Sequence, residues 1–273
     1  MNRMPFGIPK SESREKDSLT YGGYLKIPEI ISLQRLLSDP PAHDEMLFIV
    51  IHQIYELWFK EILHELDAVI GFLNRDASLD AHRLLRRCIE IGRVLVAQIA
   101  VLETMTPVDF LDFRDKLMPA SGFQSAQFRE IEFRCGLPMP ESAVRHLDIT
   151  AEERARLARR LQEPTLYDAL KGHLTRAGFA AASHDELLAT FRTIYENEES
   201  HYALYLLLED VIEFDERVLL WRGRHVRMVE RMIGMKMGTG GSLGAAYLQK
   251  TLERRFFPEL WEVRTLLGGS ATS

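Results

Sequence analysis

The sequence predicts an all-α fold, a single helical domain built on long antiparallel helices and preceded by a flexible arm. Three observations carry this. From Glu45 to about Leu73 there is no proline and one glycine. Apolar residues at 47, 48, 51, 55, 58, 59, 62, 66, 69 and 73 keep the 3.6-residue period of an amphipathic helix there. Leu79 to about Met105 reads as a second long helix, and the polar NRDAS between the two makes them an antiparallel hairpin. Alternating β-branched runs with hairpin turns are nearly absent.

The remaining elements follow in chain order. Residues 1–20 are polar with two prolines and read as the arm; 21–267 form the domain; 268–273 are a loose tail. After LTYGGY the Gly-Gly pair predicts a turn and then a short helix, stopped by Pro40 and Pro41, with Asp44 able to cap the next one. Residues 106–136 mix short helical pieces with a Pro-Ala-Ser-Gly break, and GLPMPESAVRHLDIT reads as a loop. Helices are expected at 151–162 and 165–178, and a third from Asp185 unbroken to about Ile233. A glycine-rich stretch, GMKMGTGGSLGAAYL, and a short helix through FFPELWEVRTLL close the chain.

Composition narrows the function. Of 273 residues, 46% are hydrophobic and 27% charged, enough apolar mass for a real core. The net charge of −6, with Lys and Arg mixed among Asp and Glu, argues against nucleic acid. Cys88 and Cys135 stand far apart, which suggests a reducing compartment with no disulfide framework. No run of 18 apolar residues is present and the first residues lack an apolar signal core. The expectation is a cytoplasmic protein that does not span a membrane.

Candidate chemistry falls on five stretches. FIVIHQIYELWF, 48–59, sets His52 among apolar residues, at the edge of the helix stripe. It is either a core histidine with satisfied nitrogens or a group facing a dry pocket. Glu61-x-x-His64 and Glu198-x-x-His201 have the spacing of carboxylate-bridged di-iron bundles. Glu61 and His64, however, fall opposite the apolar stripe, beside Lys60 and Asp67, where inward-pointing ligands cannot lie. His225 stands with Arg222, Arg224, Arg227 and Arg231 on one helix. That is either a solvated basic face or a metal-ligating histidine near anions such as haem propionates. Arg114, flanked by aromatics in DFLDFRDKL, either pairs with Asp112 or Asp115 or clamps a carboxylate. GTGGS, 238–242, lacks the lysine and spacing of a phosphate loop and reads as a mobile loop over a ligand.

Taken together, these stretches resemble a known family. LTYGGYLKI, FIVIHQIYELWFKEILHEL, DFRDKLMPASGFQSAQFREIE, IYENEE, LLWRGRHVRMVERMIGMKMGTGGSLGAAYL and FFPELWEVR have the order and spacing seen in the tryptophan 2,3-dioxygenase family, over residues 18 to 267. The resemblance implies an all-helical homotetramer with one haem b per subunit, ferrous in the active form. It implies insertion of O2 across the C2–C3 bond of the L-tryptophan indole, giving N-formyl-L-kynurenine, the first step of tryptophan degradation by the kynurenine pathway. The proximal iron ligand falls on His225, and the histidine that meets the indole N–H falls on His52. The carboxylate clamp falls on Arg114 and the head-group threonine on Thr239. The indole wall falls on Phe48, Ile49, Val50 and Ile51, with Ser121 and Gly122 near the haem. Tyr21 and Tyr24 match a segment that reaches into a neighbouring subunit's site. Phe110 departs from relatives that carry tyrosine there; one lost hydrogen bond to the substrate carboxylate implies about 1 kcal/mol weaker binding. A di-iron oxidoreductase and a non-enzymatic haem-binding helical protein are the competing readings.

Overall fold

The long hairpin forms as the periodicity predicts. The computed structural model describes residues 19–236, 239, 249 and 252–268, so residues 1–18 of the expected arm, 269–273 of the tail and, apart from Thr239, residues 237–248 of the glycine-rich stretch lie outside the described residues. No strand is present among the described residues. The chain divides into two units, residues 1–36 and 37–273.

The first unit carries α1 (Tyr21–Leu25) and α2 (Ile27–Ile30). α1 runs through the Gly-Gly pair that was expected to turn, because the Thr20 hydroxyl accepts a hydrogen bond from the Gly23 N–H and starts a helix there. The chain then bends at Lys26, a left-handed residue with φ of 54°.

In the second unit α3 (Glu45–Leu73) and α4 (Ser78–Leu102) run antiparallel. Tyr55 reaches the Leu95 carbonyl at 3.0 Å, and Glu65 meets Arg87 further along. Asp44 occupies the cap position of α3 but makes no side-chain cap bond; its carboxylate instead lies 2.6 Å from His43 Nδ1. The carboxylate that binds backbone here is Glu45, which accepts from the Leu37 and Ser38 N–H groups.

Short helices follow, several begun by reciprocal caps. In α5 (Pro107–Arg114), α8 (Ala151–Arg160), α9 (Leu166–Arg176) and α10 (His184–Glu196), a Ser or Thr and the acid three residues on satisfy each other's backbone N–H. α6 (Ala126–Arg134) packs on α3 and α8. The segment expected to be loop contains α7 (Glu141–Arg145), too short for any period to reveal.

The helix expected to run from Asp185 to Ile233 is two. Asn197 leaves helical geometry at φ −128°, and α11 (Tyr202–Ile233) starts afresh after it. Glu196, Glu198 and Glu199 crowd like charges at a helix C-terminus, where the dipole disfavours them. α12 (Pro258–Glu262) and a short 3-10 turn (Val263–Thr265) follow near the end of the described residues.

α11 runs parallel to α4, as the cross-helix pairs His82 with Asp210, Arg86 with Glu213 and Arg224 with Glu103 show. α4 is thus the central helix, with α3 on one side and α11 on the other. Leu66, Leu73, Leu85, Ile89, Leu207, Val211 and Phe214 fill the space between them, all fully buried. No single helix among the described residues is long and apolar enough to cross a membrane. At Gly92 the two helices come close: a Cβ placed there would lie 2.7 Å from Arg217 Cβ. That atom is tied to the α11 backbone and cannot swing away. Gly92→Val is expected to lower stability by ~1–3 kcal/mol, the usual cost of overpacking, read as a reduced midpoint in urea unfolding. An unchanged midpoint would show that α11 slides freely on α4.

Candidate active site

Where α3, α5, α6 and α11 converge, they enclose a cavity of about 240 Å³. An outer groove of about 910 Å³ adjoins it, sharing His52, Glu56, Phe110, Ser121, Gly122 and Thr239. The outer volume is of the size that suits a small organic ligand.

The histidine of α3 answers its own question. Its Nδ1 lies 2.6 Å from the Phe48 carbonyl oxygen one turn back. A carbonyl only accepts, so Nδ1 carries the proton and Nε2 keeps a free lone pair. Burial holds the imidazole below its usual value, against smaller raising effects from the Phe48 carbonyl and the Glu56 carboxylate. Phe48 lies against the ring, centroids 4.1 Å apart, and meets Phe110 at 5.8 Å and Phe113 at 5.6 Å.

On α11, His225 lines the same cavity. Burial, and secondarily the charge of a protonated His52, push its imidazole down to about 4, so it is neutral at pH 7. Trp221, one turn earlier, stacks on it with centroids 5.5 Å apart and planes at 19°. Phe128, Phe59 and Tyr55 surround Trp221 at 5.0, 5.9 and 6.0 Å. The inner cavity therefore has one neutral imidazole from α3, another from α11, and aromatic walls.

Arg114 ends α5 and lines the cavity with its side chain 14% exposed; Asp115 is 3.8 Å from it. Thr239 is near, its hydroxyl donating to the Ala120 carbonyl at 2.6 Å. Ser121 and Gly122 line both spaces, and the Ser121 N–H is held by Gln124 at 3.0 Å. His52, Phe48, Phe110, Arg114, Ser121, Gly122, Thr239 and His225 are thus brought together. Of the other residues expected in the indole wall, Ile51 is buried in the helix core, and Ile49 and Val50 are half-buried on α3 without lining either space. Helical rotation is the reason: three successive residues cannot share the face of Phe48 and His52. Tyr21 and Tyr24 belong to the first unit, exposed at 78% and 70%.

The di-iron geometry does not form. His64 is exposed on the outer groove, and Glu198 lies exposed in the break before α11, off any helix. Among the described residues no cluster of three or more His, Cys, Asp or Glu is arranged to hold a metal ion. The arginines around His225 do not share one solvated face either. Arg222 is buried against Glu132, while Arg224 pairs with Glu103 at 2.9 Å on the surface. Trp221, Phe128, Arg129, Glu132 and Arg222 line the cavity and were not expected to. Trp221 had a signal, its place one turn before His225 in WRGRH.

Fold and cavity define an all-α protein with an apolar, aromatic-rich cavity lined by two neutral histidines. A family model described as tryptophan 2,3-dioxygenase matches residues 9–178 and 141–267. A protein named tryptophan 2,3-dioxygenase from Nocardioides sp. is 51% identical over 253 residues, covering 91% of this chain and 95% of its own. Proteins of the same name from Xanthomonas euvesicatoria pv. vesicatoria and Xanthomonas campestris pv. campestris are 43% and 44% identical, covering 92% of this chain and 88% of their own. The chain belongs to the tryptophan 2,3-dioxygenase family.

Proposed function

We propose that the protein is a haem-dependent dioxygenase inserting both atoms of O2 across the C2–C3 bond of the L-tryptophan indole, giving N-formyl-L-kynurenine. The observation that carries it is the facing of His52 and His225 onto one aromatic-walled cavity that also holds Arg114 and Thr239. The donor set fits haem b: a neutral imidazole is the form that ligates iron, and His225 presents it beneath a stacked indole. When bound, the haem supplies the iron that activates O2.

The chain's own residues do the rest. An indole is a flat apolar ring with one N–H donor. Phe48 and Phe110 offer the apolar wall, and the free Nε2 of His52 offers the acceptor. In this reading His52 orients the ring. Arg114 clamps the substrate carboxylate through its planar fork, and Thr239 meets the head group. An amino acid carried into so apolar a space needs this pairing, because a buried unpaired charge is costly. Ser121 and Gly122 bound the haem side of the cavity. Tyr21 and Tyr24 reach a neighbour's site in a cytoplasmic homotetramer, a reading supported by family membership and by their exposed rings.

The test is the visible spectrum of the dithionite-reduced protein, before and after L-tryptophan is added without oxygen. A ferrous haem spectrum that shifts on addition is expected; no porphyrin band after haem reconstitution overturns the reading. A pH series sharpens the role of His52. Its value is held below the usual 6.5, and only the neutral ring accepts the indole N–H. Tryptophan affinity should therefore stay flat through neutral pH and fall only as acid protonates the ring. Weakening that sets in above pH 7 would contradict the orienting role.

A further inference from the structure

Three charged side chains line the inner cavity with no part in the chemistry so far. Arg129 and Glu132 of α6 and Arg222 of α11 are exposed to only 9%, 4% and 4%. Glu132 spends one oxygen on each arginine: Oε1 accepts from Arg222 Nη2 at 2.8 Å, and Oε2 accepts from Arg129 Nη1. Arg222 Nη1 also donates to the Arg254 carbonyl at 2.7 Å, which holds the segment before α12 against α11. Phe128 and Phe256 lie against the Arg222 guanidinium at 5.8 and 5.4 Å. Asp215, two turns earlier on α11, faces the same guanidinium but is occupied by the Phe256 and Phe257 N–H groups and the Trp261 indole.

Burying three charges is expensive, and well-packed apolar residues often hold such a place as well or better. This cluster lines a cavity whose other walls are mostly apolar, and in it two positive charges share the one carboxylate of Glu132, with the Asp215 carboxylate also facing Arg222. Arg222 stands three residues before His225 on the same helix, so both project to one face. In a space walled mostly by apolar side chains a unit charge is felt far more strongly than in water.

We propose that the Arg129–Glu132–Arg222 cluster sets the reduction potential of the iron ligated by His225, with Arg222 as a positioning residue and Glu132 as the group that offsets its charge. This rests on the haem reading above. Uncompensated positive charge near the iron favours the ferrous over the ferric state, and local charge and burial are levers by which a protein tunes a haem.

The experiment is a dithionite titration with redox mediators of the haem-loaded wild type, Glu132→Gln, Glu132→Asp and Arg129→Gln, followed at the haem band. Glu132→Gln is expected to raise the midpoint, Arg129→Gln to lower it, and Glu132→Asp to stay near wild type. A purely structural cluster changes haem retention or melting temperature but gives no opposite-signed shifts. Midpoints that do not move, or that move together, overturn the proposal. Should Glu132→Gln fail to fold, Arg129→Gln carries the test, since it leaves the Glu132–Arg222 pair whole. A wild type that takes up no haem overturns the cofactor reading and this inference with it.

Discussion

Replacing His225 by alanine is expected to abolish the haem band and all turnover. In the proposed arrangement its imidazole is the neutral nitrogen ligand that α11 presents to the inner cavity, with Trp221 stacked on it to hold its plane. His52 cannot take its place, because its Nδ1 is committed to the Phe48 carbonyl and its Nε2 faces the substrate side in the proposed arrangement. The fold should survive, since α11 is anchored elsewhere by the Arg222–Glu132 pair and by Asp215. Far-UV circular dichroism checks this. Added imidazole, small enough to enter the vacated space, should restore part of the band. Retained turnover in the alanine variant would remove His225 from the iron.

The second large effect belongs to Arg114. Arg114→Ala should raise the KM for L-tryptophan roughly 10- to 150-fold, from the ~1.5–3 kcal/mol of a lost hydrogen bond to a charged group. Haem content should stay near wild type, because Arg114 lies at the end of α5, on a different element from His225. Phe110 supplies no hydroxyl to share the task, which leaves the carboxylate more dependent on this one cation. An unchanged KM would refute the clamp and return Arg114 to a pairing with Asp115, 3.8 Å away.

What the sequence reveals of this molecule depends on how local the deciding force is. α3 is legible to the residue because an uninterrupted amphipathic period specifies it. The break at 197–201 is not. Apolar residues continue at the right spacing on both sides, and the decision rests on crowded acids and one asparagine that periodicity ignores. α7 is one turn long, below the length at which any period exists. In the cavity, His52 stands out as one titratable group in an apolar run. Arg222 and Arg224 look alike in sequence, yet a rotation of about 200° sends one to buried Glu132 and the other to surface Glu103. Phe128, Arg129 and Glu132 become cavity lining only because α6 packs across α3, a tertiary fact with no local mark.

The order of manufacture follows from the way the cavity is walled. Its two histidines come from α3, near the beginning of the chain, and from α11, near the end. A chain made from its N-terminus can fold the α3–α4 hairpin early. It cannot close the pocket until α11 has left the ribosome and docked beside α4. Whatever occupies the space between those imidazoles can therefore be enclosed only after α11 has docked.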